Sequence, residues 1–350
     1  MKKHKSPNIG GGFFDYELRM QAVKKKPTSL DRLNEIIPWD LFAEELSELF
    51  SQRQPKGLGG KPPFDRLLMF KILILQRYYN LSDEQMEYQI NDRLSFQAFL
   101  GIQGAQKVPD QNTIWDFREL LKELGGVDRL FARFDKFLAA ENVVAKEGVI
   151  VDASFIEVPK QRNSRDENSR IKEGEIPEEW KNEPGKLKQK DTDARWTKKN
   201  NVSYYGYKNH IKVDIKSKLV RTYKVTNASV HDSQILEELL DDDDGVVYAD
   251  SAYRSEGIES SLGQRGIKSR IHEKATRSKA LSEKQKAANR EKSKTRARVE
   301  HVFGFMENSM KDNVGRYIGT KRTEAMAGMK NLVYNLFRYE QIKRLNLVPS

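Results

Sequence analysis

The 350-residue sequence has no cysteine and only five histidines, at positions 4, 210, 231, 272 and 301. Disulfides, cysteine-ligated zinc and iron–sulfur clusters are excluded, and the scattered histidines lack the spacing of a metal site. A reducing compartment fits. Acid is in short supply too: 51 Asp and Glu face 62 Lys and Arg, a formal charge of +11, which favours a polyanionic partner. Long apolar runs are missing. The greasiest stretch, FDRLLMFKILILQRYY at 64–79, is interrupted by Lys71 and is too short to span a bilayer. It reads as a helix buried on most sides, and no membrane partner is expected. The basic N-terminus, MKKHKSPNIGGGFF, is followed by no apolar targeting segment. No internal repeat is present.

What remains divides by period. Residues 1–60 read as an extension with one amphipathic piece, IPWDLFAEELSELFSQ, which sets Leu41, Leu46, Leu49 and Phe50 near one face. QPKGLGGKPP at 54–63 is linker-like punctuation. Residues 61–145 read as all-helical. Ser82 and Gln85 form a capping-box pair, Asp110 or Asn112 caps a helix that Gly125 closes, and Leu130, Phe131, Phe134, Phe137 and Leu138 recur at helical spacing. A helix-turn-helix within 82–122 would present one of these helices to DNA.

The pattern changes at GVIVDASFIEV, a β-branched run at 148–158 containing Asp152. Residues 159–202 are the most polar part of the chain and are expected to be an exposed loop or a partly disordered excursion. YYGYKNHIKVDIKS and KLVRTYKVTNAS alternate as a hairpin around KSK, with Asp214 mid-strand. Ser229 with Asp232 is expected to cap a helix. GVVYAD is a strand, SEGIESSLGQRG a helix, IKSRIHE a strand, and helices fill the rest. The second half is therefore a mixed sheet with helices on its faces, an α/β class preceded by an all-α region.

In such sheets ligands gather at the carboxyl ends of strands. Asp152 is expected to end the first strand of this half and Asp250 the fourth. If those strands are parallel neighbours, the two carboxylates emerge together, and like charges at close range need a cation. Glu300, in KTRARVEHVFGFM beside the apolar stripe Val299, Val302, Phe303 and Met306, is the candidate third acid. Taken singly, each acid also reads as a turn, cap or surface ion-pair residue, and Asp214 and Asp232 are rivals. Three oxygen ligands without Cys or a His cluster suit Mg2+ or Mn2+. Two such ions can serve an in-line phosphoryl displacement. The stretch from Lys268 to Arg298 holds twelve Lys/Arg against three Glu and leads directly into Glu300. That excess reads as a polyphosphate track.

These blocks resemble the insertion-sequence transposases of bacteria that use a DDE triad, in particular the insertion sequence five group. PFDRLLMFKILILQRYYNLSDEQMEYQINDRLSFQAFLGI with VPDQNTIWDFRELL resembles that family's N-terminal domain. VIVDASFIEVP, DTDARWTKKNNVSYYGYKNHIKVD, VTNASVHDSQILEELL, VVYADSAYRS and RARVEHVFGFM resemble its catalytic blocks, in order. The resemblance implies a ribonuclease-H-like domain over 146–345 with an insertion at 159–202, a helical DNA-binding domain over 61–145, and an extension over 1–60. It implies that Asp152, Asp250 and Glu300 hold two Mg2+ or Mn2+ ions. The activity would be binding of terminal inverted repeats, strand cleavage and strand transfer on double-stranded DNA by a homodimer, in the bacterial cytoplasm at the nucleoid. A family pattern around the glutamate places Arg296 as a phosphate contact, while Ser293 and Glu307 replace its Tyr and Lys. Lys294, Arg298 and Arg254 are further candidate DNA contacts. The alternatives are a transposase-derived DNA-binding protein that no longer cuts, and a stand-alone metal-dependent nuclease.

Overall fold

Eight helices precede the first strand: α1 (Asp15–Lys24), α2 (Ser29–Ile36), α3 (Trp39–Ser51), α4 (Arg66–Tyr79), α5 (Asp83–Asp92), α6 (Leu94–Leu100), α7 (Gln111–Glu123) and α8 (Gly126–Ala140). The computed structural model describes residues 12, 14–51, 62–104, 106–145, 147–199, 201–275, 280–311 and 315–347. Apart from Pro62 and Pro63, the punctuation at 54–63 lies outside them.

Local chemistry accounts for the helix ends. Ser82 and Gln85 form the expected reciprocal cap of α5, and Asp110 accepts from the Thr113 amide at the start of α7. Asn80 ends α4 in the left-handed conformation, which Asn tolerates better than most residues. From α4, Met69 to Arg77 are buried except Lys71. Leu30 and Leu33 of α2 and Phe42, Leu46 and Leu49 of α3 join the same core. The amphipathic piece of the N-terminal extension is thus part of the helical body.

The second half begins with β1 (Val149–Glu157), passes through the short helices α9 (Arg165–Lys172), α10 (Glu178–Lys181) and α11 (Pro184–Leu187), and returns as β2 (Arg195–Lys199), β3 (Val202–Asp214) and β4 (Val220–Asn227). Then come α12 (Leu236–Leu239), β5 (Val246–Tyr248), α13 (Glu256–Gln264), β6 (Lys268–Ser269), α14 (Glu283–Arg296), α15 (Arg298–Gly304), a π-helical turn at Phe305–Ser309, and the 25-residue α16 (Thr320–Arg344). The strands run in the order β4–β3–β1–β5–β6, with β2 sharing the β4 edge of β3. β3 is antiparallel to β1 and β4, while β1, β5 and β6 are parallel. An antiparallel meander continued by two parallel strands, with helices on both faces, is the ribonuclease-H-like arrangement.

Period-two alternation assigns the faces of β1. Val149 and Val151 pack with Leu236, Leu239, Ile258 and Leu262, whereas Ile150 packs into the core shared with the N-terminal helices, Val299 and α16. α16 is buried along most of its length and carries asparagines inward. Asn335 takes both the amide and the carbonyl of Val220, at 2.9 and 2.7 Å, and Asn331 pairs with Asn209. The side-chain amide thereby supplies a ladder partner that edge strand β4 lacks at Val220.

Four expectations are corrected. The polar stretch 159–202 is not an open loop: it holds α9–α11 and β2. Burying Trp180 contributes roughly 4–6 kcal/mol, which offsets the ordering of only a few residues at about 1–2 kcal/mol each. Ile171 and Asp191 supply more. Asp191 is buried and accepts from the Tyr207 hydroxyl at 2.7 Å and from the amides of Asp193, Ala194 and Gly319. Ser229 and Asp232 form no cap. Ser229 is held by Asn227, and Asp232 takes the Lys208 ammonium at 2.8 Å. Asp214 ends β3 rather than sitting mid-strand, and accepts from the amide and hydroxyl of Ser217 to close the hairpin. Finally, only Lys268 and Ser269 of IKSRIHE pair as a ladder, although the Arg270 and His272 amides still bond to Val247 and Ala249 carbonyls.

Candidate active site

The register of the parallel strands answers whether the two aspartates meet. Val149 lies beside Val247 and Ile150 beside Tyr248, an offset of 98 residues. Asp250 minus Asp152 is the same 98, so the register carried two residues further brings the two acids level, with Asp250 just past the end of β5 and Asp152 in the middle of β1 rather than at the strand end where it was expected. Val246 lies beside Lys268, an offset of 22, which carries the row on from Asp250 to His272. Asp152, Asp250 and His272 therefore share one level across three neighbouring segments.

Each acid is held differently. Asp152 points to the face of β1 that carries α15, with 14% of its side chain exposed, and its Oδ2 accepts from Arg296 Nη1 at 2.8 Å. Its Oδ1 accepts from the Ala153 amide at 2.9 Å. Burial raises its pKa; the Ala153 amide and Arg296 oppose that, and Asp250 adds to it. Raising by burial therefore outweighs a charged partner at contact distance, as expected for a carboxylate removed from water beside a like charge. Asp250 is half-buried and caps the 3-10 turn Ser251–Tyr253, accepting from the Ala252 amide at 2.7 Å. Tyr253, on that turn, is fully buried. Its hydroxyl has no hydrogen-bond partner among the described residues, and burial, then Asp232, Asp152 and Asp250, push its pKa well above the usual value.

Glu300 lies in the first turn of α15, one turn beyond Arg296, with its side chain exposed. Val299 and Val302 of the same helix are fully buried, and α15 packs against β1. The structure thus brings Asp152, Asp250 and Arg296 together and leaves Glu300 on the adjacent turn facing solvent. Among the other sequence-chosen cations, Arg254 is engaged by Glu273 at 2.7 Å and Glu259 at 3.5 Å, and Arg298 donates to the Ile215 carbonyl. Among the described residues Lys294 pairs only with Glu291, both largely exposed. Exposed Lys284 and Arg290 on α14 meet no acid among the described residues.

His272 is the neighbour that sequence reasoning passed over. Its Nε2 lies 3.3 Å from the Ser293 hydroxyl, and burial, with Arg296 and Lys292, lowers its pKa against the pull of Asp250. Only the β5–β6 register could have signalled it, and β6 is two residues long.

The donor set fits a divalent cation. Two level carboxylates, one desolvated and already drawing a guanidinium, are oxygen ligands that favour a positive charge between them. A second acidic cluster, Asp241, Asp243 and Asp244, also has its oxygens within mutual ligating distance. The buried Lys212 ammonium already sits there, 2.6 Å from Asp241 and 2.9 Å from Asp244.

Residues 145–336, more than half of the chain, match the family described as Transposase DDE domain, and residues 18–120 match Transposase domain (DUF772). The chain belongs to the DDE transposase family. Among solved structures the transposase is similar to the piggyBac transposase synaptic complex with hairpin DNA, determined by cryo-EM. The identity is 11% and the TM-score 0.45, covering 94% of this chain and 78% of that one. Among the described residues of this transposase no helix is long and apolar enough to cross a membrane.

Proposed function

We propose that this transposase binds the terminal inverted repeats of an insertion sequence, of the insertion sequence five group, and performs metal-dependent strand cleavage and strand transfer. The observation that carries the reading is the parallel register of β1 and β5, which brings Asp250, just past β5, alongside Asp152. Asp152, Asp250 and Glu300 would hold Mg2+ or Mn2+, because an all-oxygen donor set suits these hard ions better than zinc. When bound, such ions activate an attacking oxygen and stabilise the leaving one.

The chain's own side chains supply the rest. Arg296 neutralises Asp152 in the resting protein and is within reach of a DNA phosphate brought to the same edge. Lys284, Lys294 and Arg290 extend a cationic track along α14. Binding that neutralises several phosphates should weaken by roughly 0.9 log units per log unit of salt for each phosphate. The helical region 61–145 is assigned to DNA recognition, and a homodimer to holding two ends.

The test is strand cutting by Asp152→Ala, Asp250→Ala and Glu300→Ala on end-containing duplex with Mg2+. Each variant is expected to lose cutting by about 100-fold or more while keeping most DNA binding. Full activity in any one would remove that acid from the site. A second reading, a DNA-binding protein that no longer cuts, is favoured by the outward side chain of Glu300, and it predicts no cutting by the unaltered chain. Joining of donor ends to target DNA separates the transposase from a stand-alone nuclease.

A further inference from the structure

A sizeable cleft among the described residues lies away from the aspartates. It lies between the end of α4, the start of α5, α7 and the segment entering α16, with a volume of about 490 Å3. That is within the range of roughly 300–1,000 Å3 usual for small-molecule sites. Trp115, Arg118, Lys122, Arg316, Tyr317 and Arg322 line it, with the acids Asp83 and Glu119.

Both acids are already saturated. Arg118 grips Asp83 through both terminal nitrogens, the longer contact being 2.8 Å, and Gln76 adds a third bond. Glu119 takes Lys122 and Arg322 together. Four cations against two acids leave the lining at 4 − 2 = +2. The buried Arg77 adds charge behind the wall, where it donates to the Tyr317 hydroxyl at 3.2 Å.

Two groups are left over. Arg316 is exposed and makes no hydrogen bond or ion pair with a described residue. Trp115 is 45% exposed, and no aromatic ring or cation among the described residues covers its face. A bare indole and a spare guanidinium in one positively charged cleft suit a ligand with a flat ring and an anionic group. An acidic peptide would use Arg316 but leave the indole bare.

We propose that this cleft binds a single nucleotide, its base against Trp115 and its phosphate toward Arg316. The nucleotide is either an unpaired residue of a DNA strand or a free nucleoside triphosphate. The inference is independent of the acid site, so Asp152→Ala should leave it intact.

The test uses the full chain and two fluorescent probes: a short single-stranded oligonucleotide containing 2-aminopurine, and a methylanthraniloyl-labelled nucleoside triphosphate. Trp115→Ala is expected to weaken the cognate probe about tenfold, while Trp115→Phe, which keeps a stacking face, stays within about threefold. If the oligonucleotide is the ligand, Arg316→Ala lowers its log–log salt slope by about 0.7. Loss confined to the oligonucleotide assigns the site to unpaired DNA, and loss confined to the triphosphate assigns it to the free nucleotide. Three results overturn the proposal. One is binding of both probes within about twofold of the unaltered chain in Trp115→Ala and Arg316→Ala alike. Another is an equal loss of fully paired duplex in Trp115→Ala. The third is equal displacement of either probe by poly-glutamate.

Discussion

Replacing Arg296 by methionine asks whether the guanidinium occupies the place of a divalent ion. At 2.8 Å the Arg296–Asp152 pair has a bare attraction of about 6 kcal/mol at an effective dielectric near 20. Desolvation offsets much of it, and Arg296 Nε is itself buried without a hydrogen-bond partner among the described residues. Removing one member of a buried pair costs about 3–5 kcal/mol because the other charge is stranded. Here the side chains are 24% and 14% exposed, so water recovers part of the loss and about 2–3 kcal/mol is expected. For a chain of 350 residues that is roughly 3–4 °C in melting temperature. Methionine keeps the apolar stem, so packing changes little. A cation that binds Asp152 and Asp250 should then do what Arg296 did. At 100 times its dissociation constant it stabilises by about 2.7 kcal/mol, enough to return the variant to its starting point. In the unaltered chain the ion must first displace Arg296, and its gain is smaller. Scanning calorimetry across a Mn2+ or Mg2+ titration, with a chelator as reference, reads both effects. Equal ion-induced shifts in Arg296→Met and the unaltered chain, or none in either, would refute the idea that arginine and metal share one position.

Three other outcomes follow from buried groups. Tyr253→Phe removes a hydroxyl that has no partner among the described residues and should raise stability by about 1 kcal/mol in urea titrations; a loss of that size would mean the hydroxyl is satisfied. His210 is fully buried against Thr226, and burial, reinforced by Lys208 and opposed by Asp232, lowers its pKa to about 4. The unfolded chain takes up a proton near pH 6.5 and the folded chain resists until about 4, so this stability is whole above 6.5 and is lost as pH falls through that window, on the order of 3 kcal/mol. His210→Gln should flatten the decline between pH 6.5 and 4, and an unchanged slope would assign it to carboxylates instead. Gly206 has φ of +143°, and a Cβ there would stand 2.2 Å from the Ile156 carbonyl oxygen. Gly206→Ala should cost more than about 3 kcal/mol by parting β3 from β1, measurable as lost soluble, folded protein, and a normally melting variant would contradict it.

The proximity of the two candidate aspartates was legible although only Asp250 follows a strand end, Asp152 lying inside β1. Val149–Ile150–Val151 and Val246–Val247–Tyr248 are apolar runs followed by an acid, and the parallel offset equals the acids' own separation. The caps at Ser82 and Asp110 were legible for the same reason: a short polar side chain beside an apolar periodic run has a local job. What escaped was long-range. Arg254 and Arg298 look like free cations in sequence, but Glu259, Glu273 and the Ile215 carbonyl claim them. The 159–202 stretch looked solvated because its anchors are single residues, Trp180 and Asp191, whose partners Glu167 and Tyr207 sit 13 and 16 positions away. His272 joined the aspartates through a two-residue strand that no periodicity can announce.

The two acidic clusters show why carboxylate density is a poor guide to a metal. Asp241, Asp243 and Asp244 have ligand atoms within 4.8 Å of one another, yet two of the three are exposed and the Lys212 ammonium already sits among them. Exposed carboxylates lose little by remaining charged in water, so their closeness creates no strong demand for an ion. Asp152 and Asp250 number only two, but Asp152 is desolvated and its charge is opposed by a neighbour of the same sign. There a cation relieves both burial and repulsion, and Arg296 supplies one that can be exchanged. Lys212 is 1% exposed and held by two acids at once, so Lys212→Met should unfold the region rather than open it to ions. If instead that variant gained a tight Mn2+ site while Arg296→Met gained none, the metal would belong at the start of β5 and not at its end.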